Sequence, residues 1–296
     1  MTTHLPIAQE PLPLGPALLF CPGDRPDRFA KAAARADAVI LDLEDAVAPD
    51  RKQEARRAVA AHELDPARTI VRVNAPGTAQ LAADIAALAP RRPRCVMLPK
   101  ATCPADVDRL VALLPGVKVL ALCETARGVL AAPQLAAHPD VIALMWGGED
   151  LIASLGGTSS RRADGGYRDV VRHARSSVLL AARAHDRSAI DAIHTEIADE
   201  AGQRTAAEDA AASGFTATAC IHPGQVAAIR EAFLPSPAQA AWARGVLAAA
   251  EHHGTGVFTH DGRMVDAPVL RHARLLAARA DADADGPTDP GPGNHS

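Results

Sequence analysis

The sequence predicts a closed (β/α)8 (TIM) barrel followed by a C-terminal helical extension, and three observations predict it. Short apolar, β-branched runs recur eight times along the chain. Most of the segments between them are alanine-rich with helical spacing, so buried strands alternate with amphipathic helices, the pattern of a parallel sheet covered by helices. No Gly-x-Gly-x-x-Gly follows the first run, and neither a Walker sequence nor a Gly-x-Ser-x-Gly elbow occurs anywhere. A doubly wound open sheet with its phosphate fingerprint is therefore the weaker match. Eight units in about 225 residues are what a closed barrel requires.

Taken in order, the strands are residues 17–21, 38–43, 69–73, 95–98, 117–123, 141–146, 188–193 and 216–221. Helical spacing is clearest at 28–35, 52–62, 105–114 and 169–184. After the eighth strand come Pro223, Pro235 and Pro237, a strong helix over 237–252, a glycine-spaced stretch over 254–268 and a last helix over 269–280. The organisation expected is a flexible N-terminus at 1–14, the barrel at 15–235, a helical lid segment at 236–280 and a disordered Asp/Gly/Pro-rich tail at 281–296.

Composition narrows the function classes. The 296 residues are 48% hydrophobic with a formal charge of −4, so nothing supplies the basic field that nucleic acid needs. No run reaches the roughly 18 to 20 apolar residues of a membrane span, and residues 1–14 lack a signal pattern, which reads as a cytoplasmic start. Of five cysteines, Cys21, Cys95, Cys123 and Cys220 lie inside apolar runs, where they pack as small hydrophobes, and none has zinc-site spacing.

In a barrel the chemistry lies where strands end. The strand ends carry Asp24 and Arg25, then Asp42, Glu44 and Asp45, then Arg72 and Asn74, then Lys100, then Glu124 and Arg127, then Glu149 and Asp150. Hard oxygen donors without cysteine suit Mg²⁺ or Mn²⁺. Glu124 and Asp150 follow adjacent strands, so their carboxylates either converge on one ion or cap helices and pair with Arg127 or Arg72. Arg72 reads as a fixed cation for a carboxylate or thioester oxygen, or as the ion-pair partner of Glu44 or Asp45. Lys100 reads as a charged partner of these acids rather than a Schiff-base amine. His222, before a proline, reads as structural.

Taken together, these segments resemble the HpcH/HpaI aldolase and citrate lyase β-subunit (CitE-like) family. The resemblance rests on Phe20-Cys21-Pro22-Gly23-Asp24-Arg25-Pro26, Leu41-Asp42-Leu43-Glu44-Asp45-Ala46-Val47, Arg72-Val73-Asn74 and Leu98-Pro99-Lys100. It continues through Glu124-Thr125-Ala126-Arg127-Gly128, Gly148-Glu149-Asp150-Leu151, Ile221-His222-Pro223-Gly224-Gln225 and Asp261-Gly262-Arg263-Met264-Val265-Asp266, in family order. The likeness is greatest to stand-alone β-hydroxyacyl-CoA lyases.

The resemblance implies a Mg²⁺-dependent barrel enzyme that cleaves or forms a carbon–carbon bond beside a CoA thioester, with a 2-oxoacid or related carbonyl product. By motif, Glu124 and Asp150 are the implied metal ligands and Arg72 contacts substrate; Glu124, Asp45 and Lys31 complete the expected substrate-binding set. Asp266 is the implied acid/base, reaching the site of a neighbouring subunit in a homotrimer or larger assembly. Arg25, Arg28, Lys31, Arg161 and Arg162 are candidates for the CoA phosphates, or else a solvated surface, and residues 156–166 for a mobile lid. The chain departs from many relatives at Gly15-Pro16, where they carry an arginine, and at Ala101-Thr102, where they carry a glutamate. Two other functions remain open: a Mg²⁺-dependent 2-oxoacid aldolase without CoA, and a non-autonomous subunit of a citrate lyase.

Overall fold

The computed structural model describes residues 14–253 and 256–284, so most of the expected N-terminus and tail lie outside the described residues, while Leu14, expected in the flexible segment, is buried against the barrel cluster. Eight parallel strands close on themselves in sequence order: β1 (Ala17–Pro22), β2 (Ala38–Asp42), β3 (Thr69–Arg72), β4 (Cys95–Leu98), β5 (Lys118–Cys123), β6 (Val141–Trp146), β7 (Ser188–Asp191) and β8 (Ala217–Cys220). The ring closes where Ala17–Leu19 of β1 pair with Thr218–Cys220 of β8. The chain splits into two compact units, up to Arg230 and from Glu231 onward.

Strand period two decides which side chains enter the lumen. Leu18, Ile40, Ile70, Met97, Leu120, Leu122, Met145, Ile190 and Ala219 form one buried cluster drawn from all eight strands. Continuing that parity to the C-terminal ends turns Phe20, Asp42, Arg72 and Glu124 inward. The alternate set, including Val39, Val71, Val119 and Leu144, is equally buried against the surrounding helices. Both faces are dry, which is why the strands read as continuous apolar runs.

The second unit has its own small core of Ala243, Val246, Phe258, Val265, Ala273 and Leu276. It comprises the helices Pro237–His253 and Ala267–Ala284 and a hairpin, β9 (Phe258–His260) with β10 (Arg263–Val265). From sequence this region reads only as a glycine-spaced stretch, because three-residue strands are too short to show alternation. The turn is Asp261-Gly262, both at positive φ (47° and 72°), the geometry that a two-residue hairpin loop needs. The last helix runs past the expected 280 to Ala284. Among the described residues no helix is long and apolar enough to cross a membrane.

Candidate active site

At the C-terminal mouth of the barrel lies an open pocket lined by Phe20, Arg72, Glu124, Asp150, Arg161 and Tyr167 among others. Its cation is built first. Asp42, fully buried at the end of β2, accepts hydrogen bonds from Arg72 Nε and Nη2 at 2.7 and 2.6 Å. The same carboxylate accepts the Glu44 and Ala46 backbone N–H groups at 2.8 and 3.0 Å. Four donors fix Asp42, and Asp42 fixes Arg72 as a two-pronged fork. Arg72 also stacks over the Phe20 ring at 4.8 Å, leaving Nη1 for Glu44 Oε2 at 3.2 Å. Burial works against the Arg72 charge, but the Asp42 hydrogen bonds and charge outweigh it and raise its pKa. Gly23 lets β1 pass close to β2, since a Cβ there would lie 2.6 Å from the Asp42 carbonyl oxygen.

Lys100 stands at the centre of an acidic ring. Its Nζ lies 2.6 Å from Glu44, 3.3 Å from Asp45, 3.5 Å from Asp150 and 3.9 Å from Glu124. Burial disfavours its charge, yet the Glu44 hydrogen bond and the surrounding carboxylates raise its pKa above the ordinary lysine value. A lysine held this firmly charged is no Schiff-base nucleophile. Its backbone sits at φ 51°, an uncommon region for a residue with a Cβ, and its N–H donates to Glu124 Oε1 at 3.1 Å.

Glu124 follows β5 and is 3% exposed. Burial, and next the charge of Asp150, push its carboxyl up to about 8. Gly147, after β6, permits this placement, because a Cβ there would come within 3.0 Å of Glu124 Oε2. Asp150 lies in the first turn of the helix Gly148–Ser154, its side chain 38% exposed. Among the described residues the ion pairs of Asp42, Glu44, Asp45, Glu124 and Asp150 at the mouth are with Arg72 and Lys100, and Arg161 also lines the pocket, so carboxylates outnumber cations. The mouth is short of positive charge. Among the described residues no three His, Cys, Asp or Glu side chains form a closed metal cage. Mg²⁺ does not require one, since it keeps several waters and binds through one or two carboxylates.

The family model of HpcH/HpaI aldolase/citrate lyase matches residues 17–223. The chain belongs to that family, and with it to the lyases. It is 55% identical over 266 residues to a citrate lyase subunit beta-like protein of Mycobacterium tuberculosis, covering 90% of this chain and 96% of that protein. It is 37% identical over 277 residues to a (3S)-malyl-CoA thioesterase of Cereibacter sphaeroides, covering 90% and 95%. It is 33% identical over 289 residues to the mitochondrial citramalyl-CoA lyase of Homo sapiens, covering 87% and 83%. Among solved structures it resembles M. tuberculosis CitE in complex with magnesium, acetoacetate and coenzyme A, with TM-score 0.85, 54% identity and coverage of 91% and 99%.

Within this family member, Arg72, Glu124 and Asp150 meet in one pocket, and Asp45 joins them through Lys100. Lys31 and Arg28 are exposed. Arg25 and Arg162 pair with Asp27 and Asp169, while Arg161 lies 4.0 Å over the Tyr167 ring at the pocket edge. The segment 156–166 is braced by the buried Ser160, whose hydroxyl donates to Glu149 at 2.5 Å. His222 caps the turn Pro223–Gln225, accepting the Gly224 N–H at 3.1 Å. Burial holds the Cys123 thiol up at about 12. Asp266 lies in the second unit, where Oδ1 accepts the Val269 N–H at 3.1 Å and starts the last helix. The anchor that sequence reading missed is Asp42, because Glu44 and Asp45 look equally suitable as partners of Arg72. The parity of β2 was the available signal: Asp42 continues the inward set Ala38 and Ile40.

Proposed function

We propose that the protein is a Mg²⁺-dependent carbon–carbon lyase acting on a β-hydroxyacyl-CoA thioester of the citryl, malyl, citramalyl or hydroxymethylglutaryl type. One observation carries the reading: Glu124 and Asp150, from neighbouring strand ends, share a mouth with too little positive charge, beside a rigidly held Arg72. The excess of carboxylate and the raised Glu124 pKa fit a divalent cation, and Glu124 and Asp150 are the residues that would hold it. When bound, Mg²⁺ supplies Lewis-acid polarisation of the oxygen beside the scissile bond. The names of the relatives support the substrate class.

The residues of this chain divide the remaining work. Arg72, its fork fixed on Asp42 and its Nη1 beside Glu44 Oε2, lines the pocket, where its charge offsets the negative charge growing on the thioester oxygen as an enolate develops. Because Asp42 holds it before substrate arrives, that stabilisation needs no rearrangement during reaction. Lys100 keeps Glu44, Asp45, Glu124 and Asp150 from repelling one another. Phe20, Leu122, Met145 and Ile193 give the pocket a dry wall, which strengthens every charge within it. In cleavage the β-hydroxyl gives up its proton as the carbon–carbon bond breaks, and Asp266, from the second unit of a neighbouring chain in a trimer or larger assembly, returns a proton to the enolate carbon; in condensation it removes the α-proton. Its Oδ1 is committed to the helix cap, and Oδ2 is left for this task.

A panel of CoA thioesters with Mg²⁺ tests the reading. Release of acetyl-CoA or propionyl-CoA with a 2-oxoacid or related carbonyl product is expected. Release of free CoA alone would assign hydrolysis instead, the activity named for the C. sphaeroides relative, and turnover of free 2-oxoacids without thioester would assign the aldolase. Asp266→Asn is expected to suppress exchange of acyl-CoA α-protons with solvent while leaving Mg²⁺ affinity unchanged. Exchange at the wild-type rate would remove Asp266 from the mechanism.

A further inference from the structure

Two buried ions of the barrel have no part in that chemistry: Lys52, 9% exposed, and Asp84, fully buried. Lys52 opens the helix Lys52–Ala61, an end where the helix dipole disfavours a cation, and burial lowers its pKa. All three of its ammonium protons are nevertheless used. They are donated to the Leu43 and Glu44 carbonyl oxygens, both at 2.7 Å, and to Asn74 Oδ1 at 2.8 Å. Asn74 is itself pinned: its backbone N and Nδ2 donate to Asp84 Oδ2 at 2.7 and 2.6 Å, and Nδ2 also reaches the Leu43 carbonyl oxygen at 2.8 Å. Arg56 closes the network by donating to Asp84 Oδ1 at 2.7 Å. The loops after β2 and β3 are thus clamped together beneath the mouth, and the residue that the clamp presents to the site is Glu44.

We propose that Lys52 is a positioning residue for the lyase reaction: by holding the Leu43 and Glu44 carbonyls against Asn74, it sets the Glu44 carboxylate between Arg72 and Lys100 and so fixes where those cations stand. The inference rests on the proposed function. Glu44 is a sensitive intermediary. Its Oε1 accepts Lys100 Nζ at 2.6 Å, while its buried Oε2 has no hydrogen bond and only the Arg72 Nη1 charge at 3.2 Å. Movement of the loop would pull both cations out of register, and misplacement by about 1 Å in an active site can cost on the order of 10²-fold in rate.

The test is a double-mutant cycle on the full chain with Mg²⁺ and a thioester that the wild type turns over. Lys52→Met is expected to lower kcat by about 10- to 100-fold with KM little changed. In the Glu44→Gln background the same substitution should add little, because the two residues act in series. Lys52→Arg keeps the charge but replaces a point donor with a planar fork. It is expected to show the same coupling, and it decides the matter if Lys52→Met does not fold. Wild-type kcat in a folded Lys52 variant, or losses that multiply independently of Glu44, would overturn the inference. A wild type inert toward every thioester would overturn the lyase reading and this inference with it, whereas an active wild type with independent losses overturns this inference alone.

Discussion

Two arginines of the barrel are held in nearly the same way and do different things. Arg72 forks onto Asp42 at the end of β2, and Arg175 forks onto Asp191 at the end of β7, with nitrogen–oxygen distances of 2.6–2.7 Å and 2.8–3.3 Å. Each lies over a phenylalanine ring at 4.8 Å, Phe20 for Arg72 and Phe215 for Arg175. The difference is the side of the wall. Asp42 continues the inward set of β2, so Arg72 lines the pocket, its Nη1 3.2 Å from Glu44 Oε2. Asp191 follows the inward Ile190 and therefore points outward, where Trp146 Nε1 also donates to it at 2.6 Å. The spare Nη1 of Arg175 is taken by Asp209 at 2.6 Å. One fork stands in the lining of the pocket; the other is spent on joining the helices Asp169–Ala184 and Glu200–Ser213 to the sheet. Strand parity separates them where chemistry does not.

The largest effect belongs to the inward side. Glu124→Ala is expected to abolish turnover with the fold retained, measured by circular dichroism beside the thioester assay; activity surviving at saturating Mg²⁺ would break the assignment. Arg72→Met follows, with kcat expected to fall by about 10²- to 10³-fold, the usual cost of removing a preorganised donor from a developing oxyanion. Arg175→Met sharpens the contrast. Urea unfolding should show a loss of about 3–5 kcal/mol, because Asp191 is left buried without its cation, while kcat of the folded fraction stays at the wild-type value. An Arg175 variant with intact stability and lost activity would reverse the two roles.

The smallest effect lies at His62, also outside the wall. Burial, and then the charge of Arg91, lower its pKa below 6.5, and its Nδ1 accepts the Leu64 N–H at 3.1 Å. The unfolded chain therefore takes up this proton more readily than the native one. Its contribution to stability is complete above about pH 6.5 and is lost as the pH falls through the lowered native value. His62→Gln should flatten the fall in melting temperature between neutral and mildly acidic pH, and an unchanged slope would remove His62 as a cause.

Much of this was legible in the sequence. The eight strands were, because a strand buried on both faces must be apolar throughout, and strand ends in a barrel must carry the polar groups of the mouth. Glu124, Asp150 and Arg72 stood out for that reason. Lys52 and Asp84 did not, since a lysine and an aspartate on amphipathic helices look like solvated surface until the helices are packed. Two of the four lysines in the chain, Lys52 and Lys100, turn out to be buried or ringed by acids around the same loops.

Local periodicity and what can be buried already set the order of strands and helices, the closed barrel, and the acidic strand ends. Which acid holds which cation emerged from packing alone. Arg72 chose Asp42 over Glu44 and Asp45, and Glu44 came to bridge Arg72 and Lys100, because such pairings depend on distances of a few tenths of an ångström between separate strands. Coulomb attraction and hydrogen-bond geometry settle these contacts after closure of the ring brings the loops together, and no spacing along the chain records them.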